Sequence, residues 1–208
     1  MASPGVPRAD LQATFGHIDI YLFDQLLRGR IARGMRVLDA GCGGGRNLVY
    51  LLREGFDVHA VDADPHAVAA TRRMVGAIVP EFDAQRIRVA DIDDLPYENA
   101  AFDVVISSAV LHFARDHAHF DRMVREMWRV LAPGGMLFAR LASSIGMTMP
   151  LEPLGEGRFV LPDATTRYVV DEAQLMEATR ALGGTLLDPL KTTVVQGQRC
   201  MTTWVVRT

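Results

Sequence analysis

Residues 37–47 read VLDAGCGGGRN. Val37 and Leu38 form a short apolar run, Asp39 follows, and then comes a loop carrying Gly41, Gly43, Gly44 and Gly45. An apolar strand that runs into glycines ahead of a helix is how α/β sheets build a ligand-binding turn. The spacing here is GxGxG, and Arg46 stands where the third glycine of the dinucleotide fingerprint would fall. Asp39 is the sharper clue. A carboxylate beside a pyrophosphate is repelled by on the order of several kcal/mol in a partly dry site, whereas a carboxylate beside an ammonium is attracted. Asp39 also has a second reading, in which it braces the loop by accepting its backbone N–H groups.

The chain around this loop alternates strands and helices. Strands are expected at 36–40, 57–61, 86–91, 102–108 and 136–142. Helices are expected over about 17–34, 45–56, from the Asp64–Pro65 cap to about 79, over 119–131, and over 171–184 with a capping box from Asp171 to Gln174. Residues 1–14 read as a frayed tail and 143–170 as irregular, Gly- and Pro-rich chain. TLLDPLKTTVVQ and RCMTTWVVR flank Gly197 and read as a terminal antiparallel pair. This order implies a mostly parallel sheet with helices on both faces. The expected organisation is an N-terminal tail and helix over 1–34, in the position of a lid, and a main domain over 35–208 with 143–170 as a substrate-side insertion.

Composition narrows the function. The 208 residues carry a net charge of −3, with 49% hydrophobic and 23% charged residues, as in ordinary globular proteins. That charge gives no field for nucleic acid or an anionic membrane. Cys42 and Cys200 are the two cysteines, and they form neither a disulfide framework nor a metal motif. No apolar run reaches membrane-spanning length. The expectation is a cytoplasmic protein, monomeric or homodimeric, that uses no metal and contacts neither nucleic acid nor membrane.

In such sheets ligands sit at the carboxyl ends of the strands. Asp62 ends the second strand, where an acid accepts hydrogen bonds from ribose hydroxyls, and Asp91 ends the third, beside the Ile92 N–H, where the pair suits an adenine edge. Three strand ends carrying Asp39, Asp62 and Asp91 would thus read amine, ribose and base. A nucleoside with an amine in place of phosphates has the shape of S-adenosylmethionine. Asp64 reads as a helix cap, and Asp93 and Asp94 as a solvated turn.

VLDAGCGGGRN, VHAVDADP (58–65), VADIDDLPYENAAFDVVISSAVLHF (89–113) and RVLAPGGMLF (129–138) together resemble class I S-adenosylmethionine-dependent methyltransferases. The likeness covers about residues 35–142. Residues 41–64 look especially like small bacterial methyltransferases of the tellurite-resistance type. The resemblance implies a Rossmann-like, doubly wound seven-stranded sheet with an antiparallel last strand. It implies that Gly41 and Gly43 approach the methionine part, Asp62 the ribose, and Asp91 with Ile92 the adenine, while Ser107 contacts the amino acid end. Cys42 and Ala63, flanking these positions, complete the expected cofactor-binding set with Asp39.

Methyl transfer is an in-line displacement in which the enzyme mainly aligns the reactants. His112, four residues past Ser108, is the candidate base; its other reading is packing over the cofactor or capping a turn. His117 and His119 read as solvent-facing, and His59 as structural. Phe15, His17, Tyr21, Ser143, Arg158, Phe159 and Tyr168 are candidate contacts for a small-molecule acceptor, and Arg158 and Arg167 would suit an anionic one. A nucleic-acid methyltransferase would carry an Asn/Asp-Pro-Pro-aromatic run where SSAVLHF (107–113) stands. Asp39 and the missing third glycine count against a nicotinamide oxidoreductase. The alternative from another class is a non-catalytic S-adenosylmethionine-binding sensor. The ribose assignment makes Asp62→Ala weaken cofactor binding by about 1–3 kcal/mol, the scale of hydrogen bonds to a charged group; calorimetry showing unchanged affinity would contradict it.

Overall fold

Strands buried on both faces need apolar residues throughout, and the chain supplies them in its central runs. In the computed structural model, which describes residues 8–208, these runs are β1 (Arg36–Ala40), β2 (Asp57–Asp62), β3 (Ile87–Val89), β4 (Phe102–Ser108) and β5 (Leu131–Ala142). They pair in parallel, and β10 (Lys191–Val195) and β11 (Arg199–Arg207) extend the sheet. The order is β10-β11-β5-β4-β1-β2-β3. β11 runs antiparallel to both neighbours. The seven expected strands form this path, and the two-residue β9 (Thr185–Leu186) adds an eighth strand by pairing with β11.

Helices cover both faces. α2 (Ile20–Leu27), α3 (Leu48–Arg53) and α4 (Pro65–Ile78) bury Leu22, Leu48, Leu51, Val68 and Val75 against one face. α5 (His117–Arg129) and α6 (Glu172–Ala181) bury Phe120, Met127 and Leu175 against the other, with Trp204 of β11. Aspartates cap α4, α5 and α6: Asp64, Asp116 and Asp171 accept from the N–H groups of His66, His119 and Gln174 at 2.8, 2.6 and 2.8 Å. The Gln174 side chain donates to the Tyr168 hydroxyl rather than back to Asp171, so only half of the expected capping box forms. Among the described residues no helix is long and apolar enough to cross a membrane.

Four sequence expectations change. The tail over residues 1–7 lies outside the described residues, but α1 (Arg8–Phe15) is helical. The helix expected to run to Gly34 ends at Leu27, because Gly29 takes a left-handed conformation (φ +68°) and the Gly29 and Arg30 N–H groups turn back onto Leu26 and Gln25 carbonyls. β3 stops at Val89, which leaves Asp91 two residues past the strand in an exposed turn. The segment 143–170 holds a second, antiparallel sheet: β6 (Glu152–Gly155), β7 (Arg158–Val160) and β8 (Thr166–Tyr168). Its strands are three or four residues long, too short for a period-2 pattern to stand out between glycines and prolines.

Trp204 fixes α6 to the sheet. Its indole N–H donates to Thr179 Oγ1 at 2.9 Å in a buried setting, and that hydroxyl donates to the Leu175 carbonyl at 2.8 Å. Thr179→Val keeps the volume but leaves the indole N–H unsatisfied. It is expected to destabilise the protein by about 1–3 kcal/mol in urea unfolding; no loss of stability would show that the indole finds another partner.

Candidate functional site

β1 delivers the chain to the glycine loop, and β2 fastens that loop. The Gly41 and Cys42 N–H groups both donate to the Val61 carbonyl at 2.9 Å. The Gly43 N–H donates to Asp62 Oδ2 at 2.8 Å, and the Thr71 hydroxyl donates to the Gly43 carbonyl at 2.7 Å. Gly41 has φ +87°, and a Cβ there would meet Val110 Cγ2 at 2.5 Å, so conformation and space both require glycine. The other Asp62 oxygen accepts the Asp64 N–H at 3.0 Å. Each carboxylate oxygen retains a second lone pair for a ligand.

The loop forms one wall of a cleft of about 770 Å³ at the carboxyl ends of the parallel strands. Of the residues expected at the site, Gly41, Cys42, Gly43, Asp62, Ala63, Asp91, Ile92 and His112 all line it. Asp39 and Ser107 do not: both are buried behind the wall. Strand alternation explains Ser107, since the next residue, Ser108, lines the cleft. Among the described residues the Ile92 N–H has no acceptor, so it is an open donor beside the exposed Asp91 carboxylate.

Asp39 is 1% exposed, and neither carboxylate oxygen has a hydrogen-bond partner. Burial pushes its pKa up to about 7; the Arg46 guanidinium opposes that rise and the Asp62 charge adds to it. The bracing reading of Asp39 therefore fails in this structure, where Asp62 holds the loop instead. Burial, with Asp39 nearby, also pushes the Cys42 thiol up to about 12, so it stays protonated and is no nucleophile.

His112 lies in the turn Leu111–Phe113 that follows β4. Burial, then the charge of Arg167, lowers its pKa to about 4, and its Nδ1 is buried without a partner. It is a neutral imidazole in the cleft wall. His119 also lines the cleft, with Nε2 3.4 Å from Asp93 Oδ2, which corrects the solvent-facing reading of both residues. The Arg115 N–H donates to His119 Nδ1 at 3.1 Å and helps hold the ring there. His117 instead meets the Tyr168 hydroxyl at 2.7 Å away from the cleft, and His59 packs edge-on to Tyr97 and Phe102.

Sequence reasoning missed the cluster around Asp19. Asp19 caps α2 and is 4% exposed. Its Oδ2 accepts from the Ser108 hydroxyl and Arg140 Nη1, both at 3.1 Å, and lies 3.6 Å from Arg46 Nη2. Arg46 in turn donates to Ser108 Oγ at 2.8 Å. These groups come from four distant parts of the chain. The one local signal was an aspartate before an amphipathic helix, which reads as a cap and nothing more. Of the expected acceptor contacts, Arg167 lines the cleft, while Phe15, His17, Tyr21, Ser143, Arg158, Phe159 and Tyr168 do not.

A family model described as a methyltransferase domain matches residues 38–139, the segment from β1 to β5 that carries the loop and every strand end named above. The chain carries a methyltransferase domain over this segment. It is 31% identical over 181 residues to a probable S-adenosylmethionine-dependent methyltransferase of Mycobacterium tuberculosis, a match covering 82% of this chain and 62% of that protein. This methyltransferase chain spans about half the length of the first curated relatives it matches. Its fold superposes on an S-adenosylmethionine-dependent methyltransferase from Methanosarcina mazei with a TM-score of 0.71, at 18% identity over 88% of this chain and 96% of that one. It also superposes on a Burkholderia thailandensis 1,6-didemethyltoxoflavin-N1-methyltransferase with a TM-score of 0.66, at 20% identity over all of this chain and 92% of that one.

The methyltransferase fold keeps Asp39 buried at a cost to stability. Because its folded pKa is raised, the folded state holds a proton that the unfolded state has released between pH 3.8 and about 7, and stability falls as pH rises through that window. Asp39→Asn is expected to remove this decline and to stabilise the cofactor-free protein at pH 8 by about 2–4 kcal/mol, read by urea unfolding. A variant no more stable than the parent at pH 8 would show that Asp39 is better solvated than its burial implies.

Proposed function

We propose that this chain transfers the methyl group of S-adenosylmethionine to a small-molecule acceptor by in-line displacement. The observation that supports the reading best is the two-ended cleft. One end is a glycine cradle flanked by carboxylates, a surface hostile to phosphates and suited to an adenosyl compound with a cationic tail. The other end, lined by His112, Ala142, Leu161 and Met201, leaves room beside it for a second molecule.

The residues fit the cofactor. Asp62 accepts from ribose hydroxyls with its remaining lone pairs, and Asp91 with the open Ile92 N–H takes the adenine edge. Arg46, beside the loop, takes the tail carboxylate, and Ser108 holds Arg46 in place. Asp39, behind Gly41, has a pKa raised to about 7, and a tail ammonium nearby would favour its charged form and be favoured by it. S-adenosylmethionine bound there supplies an electrophilic methyl group whose leaving thioether is neutral, so no general acid is needed.

The chain's remaining task is to position the acceptor and receive its proton. His112 is neutral and lines the cleft, so its imidazole accepts, through Nε2, the proton released by a hydroxyl or ammonium acceptor. The segment 143–170 serves as the substrate-side wall, since Leu161, Asp163, Thr165 and Arg167 reach the cleft. The small-molecule assignment draws on the size of this end and on the toxoflavin-type substrate named for the Burkholderia relative.

The test is release of S-adenosylhomocysteine over a panel of small oxygen, nitrogen, sulfur and chalcogen acceptors. His112→Asn is expected to lower kcat about 100-fold while leaving S-adenosylmethionine affinity intact, the scale of a lost general base. Tight cofactor binding with no product from any acceptor would favour the non-catalytic sensor.

A further inference from the structure

The cleft lining carries both charges. Around the loop stand the acids Asp62, Asp64, Asp91 and Asp93, together with Arg46. Arg140 shares Asp19 Oδ2 with Arg46, while Arg167 and Arg199 come from other elements, with Asp163 the lining acid near them. Arg140 is partly neutralised by Asp19, although its Nε is buried without a partner. Arg167 and Arg199 are less compensated. Among the described residues neither has a carboxylate within ion-pair distance. Asp163 feels both as the weaker causes of its lowered pKa, after the Thr165 hydroxyl and N–H that occupy its Oδ1.

Arg167 is also held ready. Its guanidinium lies over the Phe113 ring at 5.0 Å, and its Nη1 donates to the Thr166 carbonyl at 2.8 Å. Stacking and one hydrogen bond fix the plane of the fork and leave other N–H groups for a ligand. Arg199 comes from a different element, the first position of β11, whereas Arg167 lies on β8. Between them the wall is apolar, with Phe113, Leu161, Val195 and Met201. Phe113 is 59% exposed and presents an apolar ring to the cleft.

We propose that the methyl acceptor is an anion, a small molecule with an apolar, ring-sized body and a carboxylate or phosphate that docks on Arg167 and Arg199. This rests on the methyltransferase reading above and adds the acceptor's chemical class to it. Two cations converging on one anionic group supply orientation as well as attraction, which in-line transfer requires. The same docking serves His112. The Arg167 charge opposes protonation of that imidazole, and an anion on Arg167 offsets it, so a correctly bound acceptor strengthens the base beside it.

The test saturates the full chain with S-adenosylhomocysteine and titrates it calorimetrically with para-hydroxybenzoate, para-hydroxyphenyl phosphate and the neutral para-hydroxybenzamide. At least one anion is expected to bind about tenfold or more tighter than the amide, and the two anions tell carboxylate from phosphate recognition. The Arg167→Gln/Arg199→Gln double variant is expected to lose that preference and keep its S-adenosylhomocysteine affinity, which shows that it is folded. If the double variant loses that affinity, Arg199→Gln alone, at the exposed start of β11, carries the comparison. Equal affinities, no binding of any probe, or a preference that survives substitution overturns the proposal. Failure of S-adenosylhomocysteine to bind the parent chain overturns the methyltransferase reading beneath it, so the two failures are distinguishable.

Discussion

The Val61 carbonyl accepts two loop N–H groups, and the neighbouring Asp62 carboxylate accepts a third. This joint between β1 and β2 sets the shape of the cleft. It holds Gly41 and Gly43 in left-handed conformations that only glycine adopts cheaply, and so brings backbone rather than side chains to the wall. It also aims Asp62 across the loop, where its unused lone pairs face the same space as the open Ile92 N–H. Parallel pairing of β1 with β2 and β4 fixes these strand ends side by side.

Around that joint the protein arranges charge in a deliberate order. Asp39 sits buried and unpartnered, which costs stability in the cofactor-free protein. Such a cost fits a site where a ligand offsets it, and in the proposed reading that ligand is a cationic amino acid tail. Asp19 plays the complementary part. It ties Ser108, Arg140 and, at longer range, Arg46 into one cluster, so the cations of the cleft are held in position instead of collapsing onto the acidic end. The cleft lining thus sets Asp62, Asp64, Asp91 and Asp93, with Arg46, around the loop, and Arg167 and Arg199 on β8 and β11. One molecule with a positive centre and another with a negative group would be drawn to these different groups.

The central strands and the loop were legible in the sequence because their physics is local. An apolar run, a glycine that must turn, and an aspartate before proline each declare themselves within a few residues. Eight expected site residues reach the cleft for the same reason: all sit at or near strand ends, and strand ends in this topology converge. What stayed hidden was non-local. The Asp19–Ser108–Arg140 cluster joins residues about a hundred positions apart, and nothing near any of them announces the others. The small β6–β8 sheet was hidden because strands of three residues carry no usable period. Ser107 was assigned to the wall one position too early, since a one-residue step along a strand reverses the face.

The central claim is that fixed carboxylates at the sheet's rim select an adenosyl compound by its cationic tail. The most direct measurement compares S-adenosylhomocysteine with methylthioadenosine, which keeps the nucleoside and thioether but lacks the amino acid. Calorimetric titration is expected to show the tailed compound binding at least about tenfold tighter, as a buried charge contact requires. Equal affinity for the two, or tighter binding of a nicotinamide dinucleotide than of either, would contradict the account.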